Sequence, residues 1–240
     1  MTMAKLTHPD SLYASEQGPQ SSHSVGSLPK RIRHLVIGGG FTGLQCGCQL
    51  AARGEEVLLL EQGPIAWGAS GRNGGQVLPG FAWGPSQLAA CLGEERARRL
   101  WQKSRGAVQL VAEQAQEQGI LVQWGGGELA AHAAHVPGIS KLVHDAARWG
   151  HELHQFGRDE AAERTGSTKF FGGFIDQQAL HLDPLAFAQS LGRKYEALGG
   201  QLFADCQVTG LSRQGAQFVA HTPSGDVCAD LVYVCTNAWT

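Results

Sequence analysis

The residues with the clearest chemical potential are three glycines, Gly38, Gly40 and Gly43, in the spacing G-x-G-x-x-G. They follow the short apolar run at residues 34–37 and precede a segment with helical spacing. Glycine at these positions allows a tight turn, lets a pyrophosphate approach the main chain, and lets the helix pack close to the strand. The N–H groups and dipole of the first helical turn would then attract two phosphates. The pattern predicts a dinucleotide-binding loop.

Glu61 adds a carboxylate at the end of a second apolar run, residues 57–60. A carboxylate in this position can accept hydrogen bonds from ribose hydroxyls. It also disfavours a 2′-phosphate, which argues against NADP. FAD and NAD both remain compatible with this part of the sequence.

A second glycine-rich stretch, EQGPIAWGASGRNGGQ at residues 61–76, contains five glycines. It is too rich in glycine for the interior of a helix or a strand. Its position directly after the second apolar run indicates a loop that a ligand approaches closely. Gly68, Gly71, Gly74 and Gly75 are the positions where that backbone would be most open.

These loops need a scaffold, and the surrounding pattern supplies a strand, a helix and a strand. We expect strands at residues 34–37 and 57–60 and a helix at 41–53 that ends at Gly54. The crossover between the parallel strands should be right-handed. The pattern in the middle of the chain predicts a helix at 85–119, short strands at 120–124 and 128–131, a helix at 139–149 and a strand at 170–178.

The last third of the chain predicts a helix at residues 183–198, with Asp183 as its N-cap and Pro184 in its first turn. Gly199 and Gly200 would end this helix. A hairpin is expected from residues 207–212 and 217–222, around Gln214-Gly215, followed by a buried strand at 231–235.

Composition restricts the class of protein. The chain has 240 residues, 42% of them hydrophobic and 17% charged, with a formal net charge of −2. This is the profile of a globular protein. It lacks the excess of basic residues by which a protein binds nucleic acid or an anionic membrane surface. We expect a cytoplasmic protein with a mobile polar leader at residues 1–30, because this segment lacks the apolar core of a signal peptide.

The cysteines and histidines give little indication of a metal. The six cysteines form no C-x-x-C pair and are expected to be small buried hydrophobes. His132 and His135, and likewise His151 and His154, have ligand-like spacing, but no carboxylate or thiolate completes either set. We therefore expect no metal site, and we expect hydrogen-bonded or solvated imidazoles. His181 and Asp183 could form an acid–base pair, although the capping role of Asp183 is preferred.

The glycine-rich stretch carries a family resemblance. GASGRNGGQ following VLLLEQGPIAWG resembles the D-amino-acid-oxidase-type superfamily of FAD-dependent amine oxidoreductases, and most closely its gamma-glutamylputrescine oxidase branch. The segments DSLYAS, ALHLDPLAFAQSL, ALGGQLFADCQVTGL and ADLVYVCTNAWT match the pattern of the family in the same order. The resemblance covers about residues 10 to 240.

The resemblance implies an α/β fold class. It implies a Rossmann-like FAD-binding domain, with a parallel sheet and helices on both faces, and an incomplete antiparallel-sheet substrate domain. The expected division is a leader at 1–30, the two parts of the FAD-binding domain at 31–84 and 183–240, and the partial substrate domain at 85–182. In the family, a second half of the chain completes the substrate site and the cofactor site. We therefore expect this sequence to be the N-terminal portion of a longer enzyme.

The cofactor implied by the resemblance is FAD. The expected contacts are Gly38, Gly40, Thr42, Gly43, Glu61, Gln62, Ser70, Gly71, Arg72, Asn73, Gly74, Gly75, Gln76, Val208, Thr236, Asn237 and Ala238. Ser70 and Arg72 are candidates for phosphate or flavin contacts, and Asn73 and Gln76 for polar contacts near the ring. Trp67 could pack beside the loop or contact the cofactor, and Val208 could equally be an ordinary strand residue.

The implied reaction is oxidation of a C–H bond next to an amine, with a small amine or amino acid as substrate and oxygen as the electron acceptor. No catalytic residue is identified. The alternatives are an inactive remnant that binds a nucleotide or a partner without catalysis, and an NAD-dependent dehydrogenase. For a chain that ends at Thr240 we expect weak or no retention of FAD and no turnover.

Overall fold

The computed structural model describes residues 6–16 and 27–238. These residues form two compact units. The first unit contains the chain up to Gly74 and again from Asp183 onward, and the second contains Gly75–Leu182. The assignment of these units to cofactor and substrate binding stays a prediction, as does the expected domain boundary at residue 85.

The described residues contain seven α-helices and ten strands. The helices are α1 Leu12–Glu16, α2 Phe41–Ala51, α3 Pro85–Leu92, α4 Glu94–Glu117, α5 Val136–Ala147, α6 Arg158–Thr165 and α7 Pro184–Ala197. The strands are β1 Arg31–Ile37, β2 Val57–Leu60, β3 Gln76–Val77, β4 Gln123–Leu129, β5 His154–Phe156, β6 Gly173–His181, β7 Gln201–Phe203, β8 Gly210–Gln214, β9 Gln217–His221 and β10 Val227–Val234.

The first unit is built on a six-stranded sheet with the order β7-β2-β1-β10-β9-β8. The first four strands are parallel, and β9 and β8 are added antiparallel, so the sheet is mixed. Val36 on β1 lies opposite Leu59 on one side and Tyr233 on the other. The predicted strand–helix–strand unit is therefore present at the centre of this sheet, with its first strand beginning three residues earlier, at Arg31.

Helices α2 and α7 pack against each other beside this sheet. Tyr195 of α7 is fully buried, and its hydroxyl donates to the carbonyl oxygens of Val57 at 2.8 Å and Gln201 at 3.1 Å. Burial raises the pKa of the Tyr195 hydroxyl. Gly47 and Gly200 face the tyrosine ring so closely that a Cβ atom at either position would collide with it. Gly47 thus allows α2 to approach α7, and Gly200 allows the turn after α7 to pass beside the same ring.

Alternation along β1 and β2 buries both faces of the sheet. Val36 faces α2, where its side chain lies against Gly43. Leu35, Leu58 and Ala220 belong to a buried cluster that also contains Ile32, Ile37, Leu60, Cys206, Val227 and Ala229. The four strongly apolar residues of β2 are consequently all buried, as a central parallel strand requires.

The end of the first unit confirms one local prediction and corrects another. Asp183 caps α7, and its Oδ1 atom accepts from the backbone N–H groups of Leu185 and Ala186 at 2.9 Å each. The predicted buried strand at residues 231–235 is wrong in its burial, because Leu231 and Val234 are exposed. The antiparallel partner β9 pairs only with Val227–Ala229, so the later part of β10 has no neighbour on that side among the described residues.

The leader is only partly described. Residues 12–16 form α1, which contacts α7. The indole N–H of Trp67 donates to the Thr7 carbonyl oxygen at 2.9 Å. Residues 1–5 and 17–26, to which part of the predicted mobility refers, lie outside the described residues.

The second unit pairs β6 with β4 on one edge and with β3 and β5 on the other, all antiparallel. The single long helix predicted here is divided, because Gly93 adopts φ +80° between α3 and α4. The two short strands predicted around residues 125–127 are one strand, β4, whose pairing with β6 shifts between Trp124 and Gly126. The long helix fails at Gly93 since the left-handed conformation cannot continue a right-handed helix.

Two further boundaries differ from the sequence-based expectation in this unit. Helix α5 begins three residues before the predicted start, at Val136, and Pro137 lies in its first turn, where a missing N–H costs nothing. Strand β6 begins at Gly173 and extends to His181, beyond the predicted end at residue 178. Strand pairing on both edges favours this extension, because His181 lies in register opposite Gln76 of β3 and Gln123 of β4.

Candidate cofactor-binding site

The turn after β1 requires glycine for geometric reasons. Gly38 has φ +109°, and a Cβ atom there would lie 2.5 Å from the Cys235 carbonyl oxygen. A Cβ atom on Gly43 would collide with the carbonyl oxygen of Gly38. The predicted reasons for these two glycines, a tight turn and close helix packing, are both present in the structure.

The two glycine-rich loops are joined by hydrogen bonds. The Ser70 hydroxyl oxygen accepts from the Phe41 backbone N–H at 3.0 Å, in the first turn of α2. The Ala66 N–H donates to the Gly39 carbonyl oxygen at 3.0 Å. A Cβ atom on Gly40 would lie 2.7 Å from the Ser70 hydroxyl oxygen. The loops therefore line one groove in the first unit.

The second loop is held in an unusual conformation. Ala66 is buried with φ +60°, a conformation that costs a non-glycine residue about 1 kcal/mol or more. Its carbonyl oxygen lies so close to Gly71 that a Cβ atom there would clash. Gly71 is the last residue of a 3-10 turn at Ala69–Gly71. Close packing within the second loop thus explains why glycine occupies position 71.

Glu61 connects the end of β2 to the first loop. Its Oε2 atom accepts from the Gly39 N–H at 2.6 Å, and Oε1 accepts from the Gly63 N–H at 3.0 Å. Burial raises the pKa of the Glu61 carboxyl, and the two backbone N–H groups oppose that shift. Each carboxylate oxygen has two lone pairs, so both can still accept a hydrogen bond from a ribose hydroxyl.

These segments surround a cavity of about 580 Å³, a size within the range of small-molecule and cofactor sites. All of its lining residues belong to the first unit. They include ten of the predicted contacts or neighbours, namely Gly38, Gly40, Thr42, Glu61, Gln62, Trp67, Ser70, Val208, Thr236 and Asn237.

The lining has no lysine or arginine among its described residues. An anionic group in this cavity would therefore depend on backbone N–H groups and on the N-terminal dipole of α2, whose N-cap is Gly40. Because the N-cap is glycine, it has no side chain that could cover the first turn of α2. This arrangement suits a diphosphate that forms part of a larger ligand.

Several predicted contacts lie elsewhere. Gly43, Gly71, Arg72, Asn73, Gly74 and Ala238 are not part of the cavity lining, and Gly75 and Gln76 belong to the second unit. Arg72 Nε donates to the Trp67 carbonyl oxygen at 2.6 Å, and its guanidinium lies 4.4 Å from the centre of the Trp67 ring. Asn73 Nδ2 donates to the carbonyl oxygens of Ala69 and Ser70. Both side chains therefore brace the second loop, and their contact with a cofactor stays a prediction.

The sequence did not indicate several lining residues. Cys206, Gln207 and Cys235 line the cavity although they were not among the predicted contacts. Cys206 N–H donates to the Glu61 carbonyl oxygen at 2.8 Å, which fixes the segment after β7 beside the end of β2. The signal in the sequence was their position, since Cys206 and Gln207 directly precede Val208 and Cys235 directly precedes Thr236.

The histidine pairs differ in environment. His151 is buried and bonded to Asp176, whereas His154 is exposed and lies 3.3 Å from Glu160. The rings of His132 and His135 lie edge to face, with centroids 5.2 Å apart. Within residues 6–16 and 27–238, no group of three or more His, Cys, Asp or Glu side chains is arranged to hold a metal ion.

The parallel strands, the glycine turn and the cavity at their carboxyl ends define a dinucleotide-binding α/β protein. The model of the DAO family, described as FAD dependent oxidoreductase, matches residues 33–240, and the chain belongs to this family. FAD is accordingly the cofactor of its fold. The cavity fits this group, since glycine at position 40 leaves the N-terminus of α2 uncovered at the cavity wall, where a Cβ atom would lie 2.7 Å from the Ser70 hydroxyl oxygen.

Curated relatives are similar over most of this chain. The probable oxidoreductase OrdL of Rhizobium meliloti (strain 1021) is 31% identical over 208 residues, which cover 85% of this chain and 49% of that protein. Gamma-glutamylputrescine oxidoreductase of Escherichia coli (strain K12) is 27% identical over 235 residues, covering 97% of this chain and 55% of that protein. The chain thus spans about half the length of the curated relatives it matches.

Solved structures share the fold. L-Amino acid deaminase from Proteus myxofaciens, in complex with anthranilate, has a TM-score of 0.74 and 19% identity, covering 92% of this chain and 48% of that one. Glycine oxidase from Geobacillus kaustophilus has a TM-score of 0.72 and 21% identity, with 88% and 56% covered. Of the helices that the structure describes, none combines the length and the apolar character needed to cross a bilayer.

Proposed function

We propose that this chain binds FAD in the cavity of its first unit and belongs to an enzyme that oxidises a C–H bond adjacent to an amine. The observation that carries the proposal is the joining of the two glycine loops around one cavity, through Ser70 to Phe41 and through Ala66 to Gly39. Family membership supports FAD rather than NAD as the dinucleotide.

The residues of the chain would act by binding and orientation. The N-terminus of α2 and the backbone around Gly40 would hold the diphosphate, because the helix dipole favours an anion there. Glu61 would accept from ribose hydroxyls while the Gly39 and Gly63 N–H groups hold its carboxylate in place. Val208, Thr236 and Asn237 form the opposite wall of the cavity and would position the rest of the cofactor.

FAD, when bound, supplies the acceptor for a hydride equivalent from the substrate carbon, with oxygen as the final electron acceptor. We propose a gamma-glutamylated polyamine or another secondary amine as the substrate, on the basis of similarity to gamma-glutamylputrescine oxidoreductase. The described part of the chain identifies no residue that contacts this substrate, so its binding groups are not assigned.

A second candidate function is nucleotide binding without turnover. It is supported by the cavity lining, all of which belongs to the first unit. Addition of the amine with a peroxide assay separates the candidates: peroxide formation contradicts binding without turnover.

Titration of FAD into the purified chain, followed by flavin fluorescence, tests the cofactor proposal. Gly40→Ala places a methyl group in the groove, and we expect it to weaken FAD binding by at least about tenfold, or 1.4 kcal/mol. Gly106→Ala is the matched control, because a Cβ atom there meets open space on α4. Equal FAD affinity of the wild type and Gly40→Ala, in proteins of unchanged stability, would refute this site.

A further inference from the structure

Three side chains far along the chain from the glycine loops form a connected set on the first unit. The Ser212 hydroxyl oxygen on β8 lies 2.9 Å from Nε2 of His221, the last residue of β9. Nδ1 of the same imidazole lies 3.0 Å from Oδ1 of Asp226, in the turn before β10. The family resemblance and the cavity account for none of these residues.

The partners of the imidazole determine the direction of each hydrogen bond. A carboxylate oxygen of Asp226 can only accept, so Nδ1 of His221 must donate its proton to it. In the neutral ring, Nε2 then carries the lone pair and accepts from the Ser212 hydroxyl. This is the tautomer in which a histidine can remove the proton of a serine nucleophile, with the carboxylate stabilising the resulting cation.

The backbone around the set is fixed on each side. His221 is anchored through its carbonyl oxygen, which accepts from the Thr209 N–H at 2.8 Å and from the Thr209 hydroxyl at 3.1 Å. Ser212 lies in register opposite Val219. The Asp226 turn is closed by the Thr222 hydroxyl, which donates to the Gly225 carbonyl oxygen at 2.6 Å. Preorganised neighbours reduce the entropic cost of bringing the three groups together.

The set is open to solvent, which restricts the chemistry it can perform. The side chains of His221 and Asp226 are 42% and 58% exposed, and Ser212 is exposed. Gly210 lies opposite His221, so no side chain from that position covers the ring. A small, activated reagent can reach the serine, whereas water competes for each hydrogen bond and no deep pocket selects a large substrate.

We propose that Ser212, His221 and Asp226 form a surface acyl-transfer site for small activated carboxylic esters. Ser212 Oγ bonds to the ester carbonyl carbon while its proton passes to Nε2 of His221. The carbonyl carbon then releases the alcohol or phenol oxygen, which takes the proton from the imidazolium. Water attacks the acyl-serine by the same route, releasing the carboxylic acid and restoring Ser212. No oxidant or cofactor enters the balance.

This activity is independent of FAD and of the proposed amine oxidation. The site can therefore be tested on the purified 240-residue chain without added flavin. Failure of the flavin titration leaves the acyl-transfer proposal untouched, and the reverse is also true.

The test is labelling of the chain with an alkyl fluorophosphonate, followed by mass spectrometry of the serine-containing peptides. The Ser212 oxygen replaces fluoride on phosphorus, giving a stable adduct. Ser224, exposed in the neighbouring turn, is the internal control for an ordinary serine. We expect Ser212 to be labelled about 100-fold faster than Ser224, since a positioned general base contributes roughly this factor.

Variants separate general-base catalysis from simple exposure. His221→Ala should lower the labelling rate of Ser212 about 100-fold, and Asp226→Asn about tenfold, because the ring then loses its partner. Release of p-nitrophenolate from p-nitrophenyl acetate should fall in parallel and disappear in Ser212→Ala. Circular dichroism of each variant verifies that the fold is retained, and Asp226→Asn remains available if His221→Ala does not fold. Labelling of Ser212 no faster than Ser224, or unchanged labelling in a folded His221 variant, overturns the proposal.

Discussion

Two regions of the molecule use the same pair of groups in different surroundings. In the second unit, Nε2 of His151 lies 3.0 Å from Oδ2 of Asp176. In the first unit, Nδ1 of His221 lies 3.0 Å from Oδ1 of Asp226. The distances are equal, so the difference between the regions comes from the other nitrogen of each ring and from burial.

The other nitrogen of His151 is occupied by a donor. The indole N–H of Trp101 donates to Nδ1 at 3.2 Å, which requires the neutral imidazole with its proton on Nε2. His151 is 1% exposed and Asp176 4% exposed. An imidazole with both nitrogens engaged in the core has no lone pair for a nucleophile. His221, by contrast, holds its second nitrogen towards a hydroxyl that can give up a proton.

The buried pair stabilises an irregular sheet. Asp176 Oδ1 also accepts from the Gln178 N–H at 2.8 Å. Asp176 lies opposite Gly126, immediately beside the register shift between β4 and β6. One carboxylate therefore connects the bulged strand to the imidazole and, through it, to helix α4. Hydrogen bonds of equal length therefore stabilise the core around His151, whereas at His221 they leave Nε2 able to accept the proton of a hydroxyl.

Replacing each histidine by alanine should give the largest difference in stability between the two regions. His151→Ala leaves the Trp101 N–H and the Oδ2 atom of Asp176 without their partner in the core, and we expect it to lower the free energy of unfolding by about 4 kcal/mol. His221→Ala, at the surface, should change it by about 0.5 kcal/mol or less. Urea denaturation of both variants measures the difference. Similar losses at the two positions would show that the buried contacts have no special weight.

Trp101→Phe tests the donor to His151 alone. The phenyl ring keeps most of the packing against Trp149 but leaves Nδ1 of His151 without its buried donor, so we expect a loss of about 2 kcal/mol. Trp149→Phe is the matched control. Trp149 donates to Glu94, whose side chain is half exposed and can be satisfied by water, so its loss should be smaller. Urea denaturation checks both, and equal losses would indicate that ring volume alone decides.

The sequence predicted the elements that depend on neighbours along the chain. The strand–helix–strand unit with its G-x-G-x-x-G turn is local, and the Asp183 cap requires only the N–H groups two and three residues further on. The sequence also predicted glycine-rich loops after β1 and β2, and residues of both loops line one cavity. Gly93 was not recognised as a break because helix-forming residues lie on both sides of it.

What the sequence could not supply are contacts between distant residues. His151 and Asp176 meet only because α4, α5 and β6 pack in one unit. Ser212 and His221 are a partial exception: the sequence predicted a hairpin around Gln214-Gly215, and the structure, in which Gln214 pairs with Gln217, places positions 212 and 219 opposite each other. His221, two residues further, lies on the same face as Ser212 by alternation. Asp226 depends on the geometry of the following turn, which the sequence alone does not determine.

Glu61 carries a third carboxylate, which is less buried than that of Asp176 and accepts hydrogen bonds from two backbone N–H groups. Burial raises the pKa of the Glu61 carboxyl above its ordinary value of 4.5. Just above pH 4.5 the native state therefore binds more protons than the unfolded state, and this group's contribution to stability falls as the pH rises through that window. Glu61→Gln removes the contribution.

The measurement is the difference in unfolding free energy between wild type and Glu61→Gln, followed from pH 4.5 upward. A difference is needed because other carboxyls titrate nearby with the opposite sign. For Asp145, burial alone would raise the pKa, but hydrogen bonds from Lys141 and Ser86 lower it, so its contribution is lost as the pH falls. We expect the wild type to lose stability relative to the variant as the pH rises. A constant difference would mean that the Gly39 and Gly63 N–H groups fully offset the burial of Glu61, leaving its carboxylate ionised at no cost and ready to accept from a ribose.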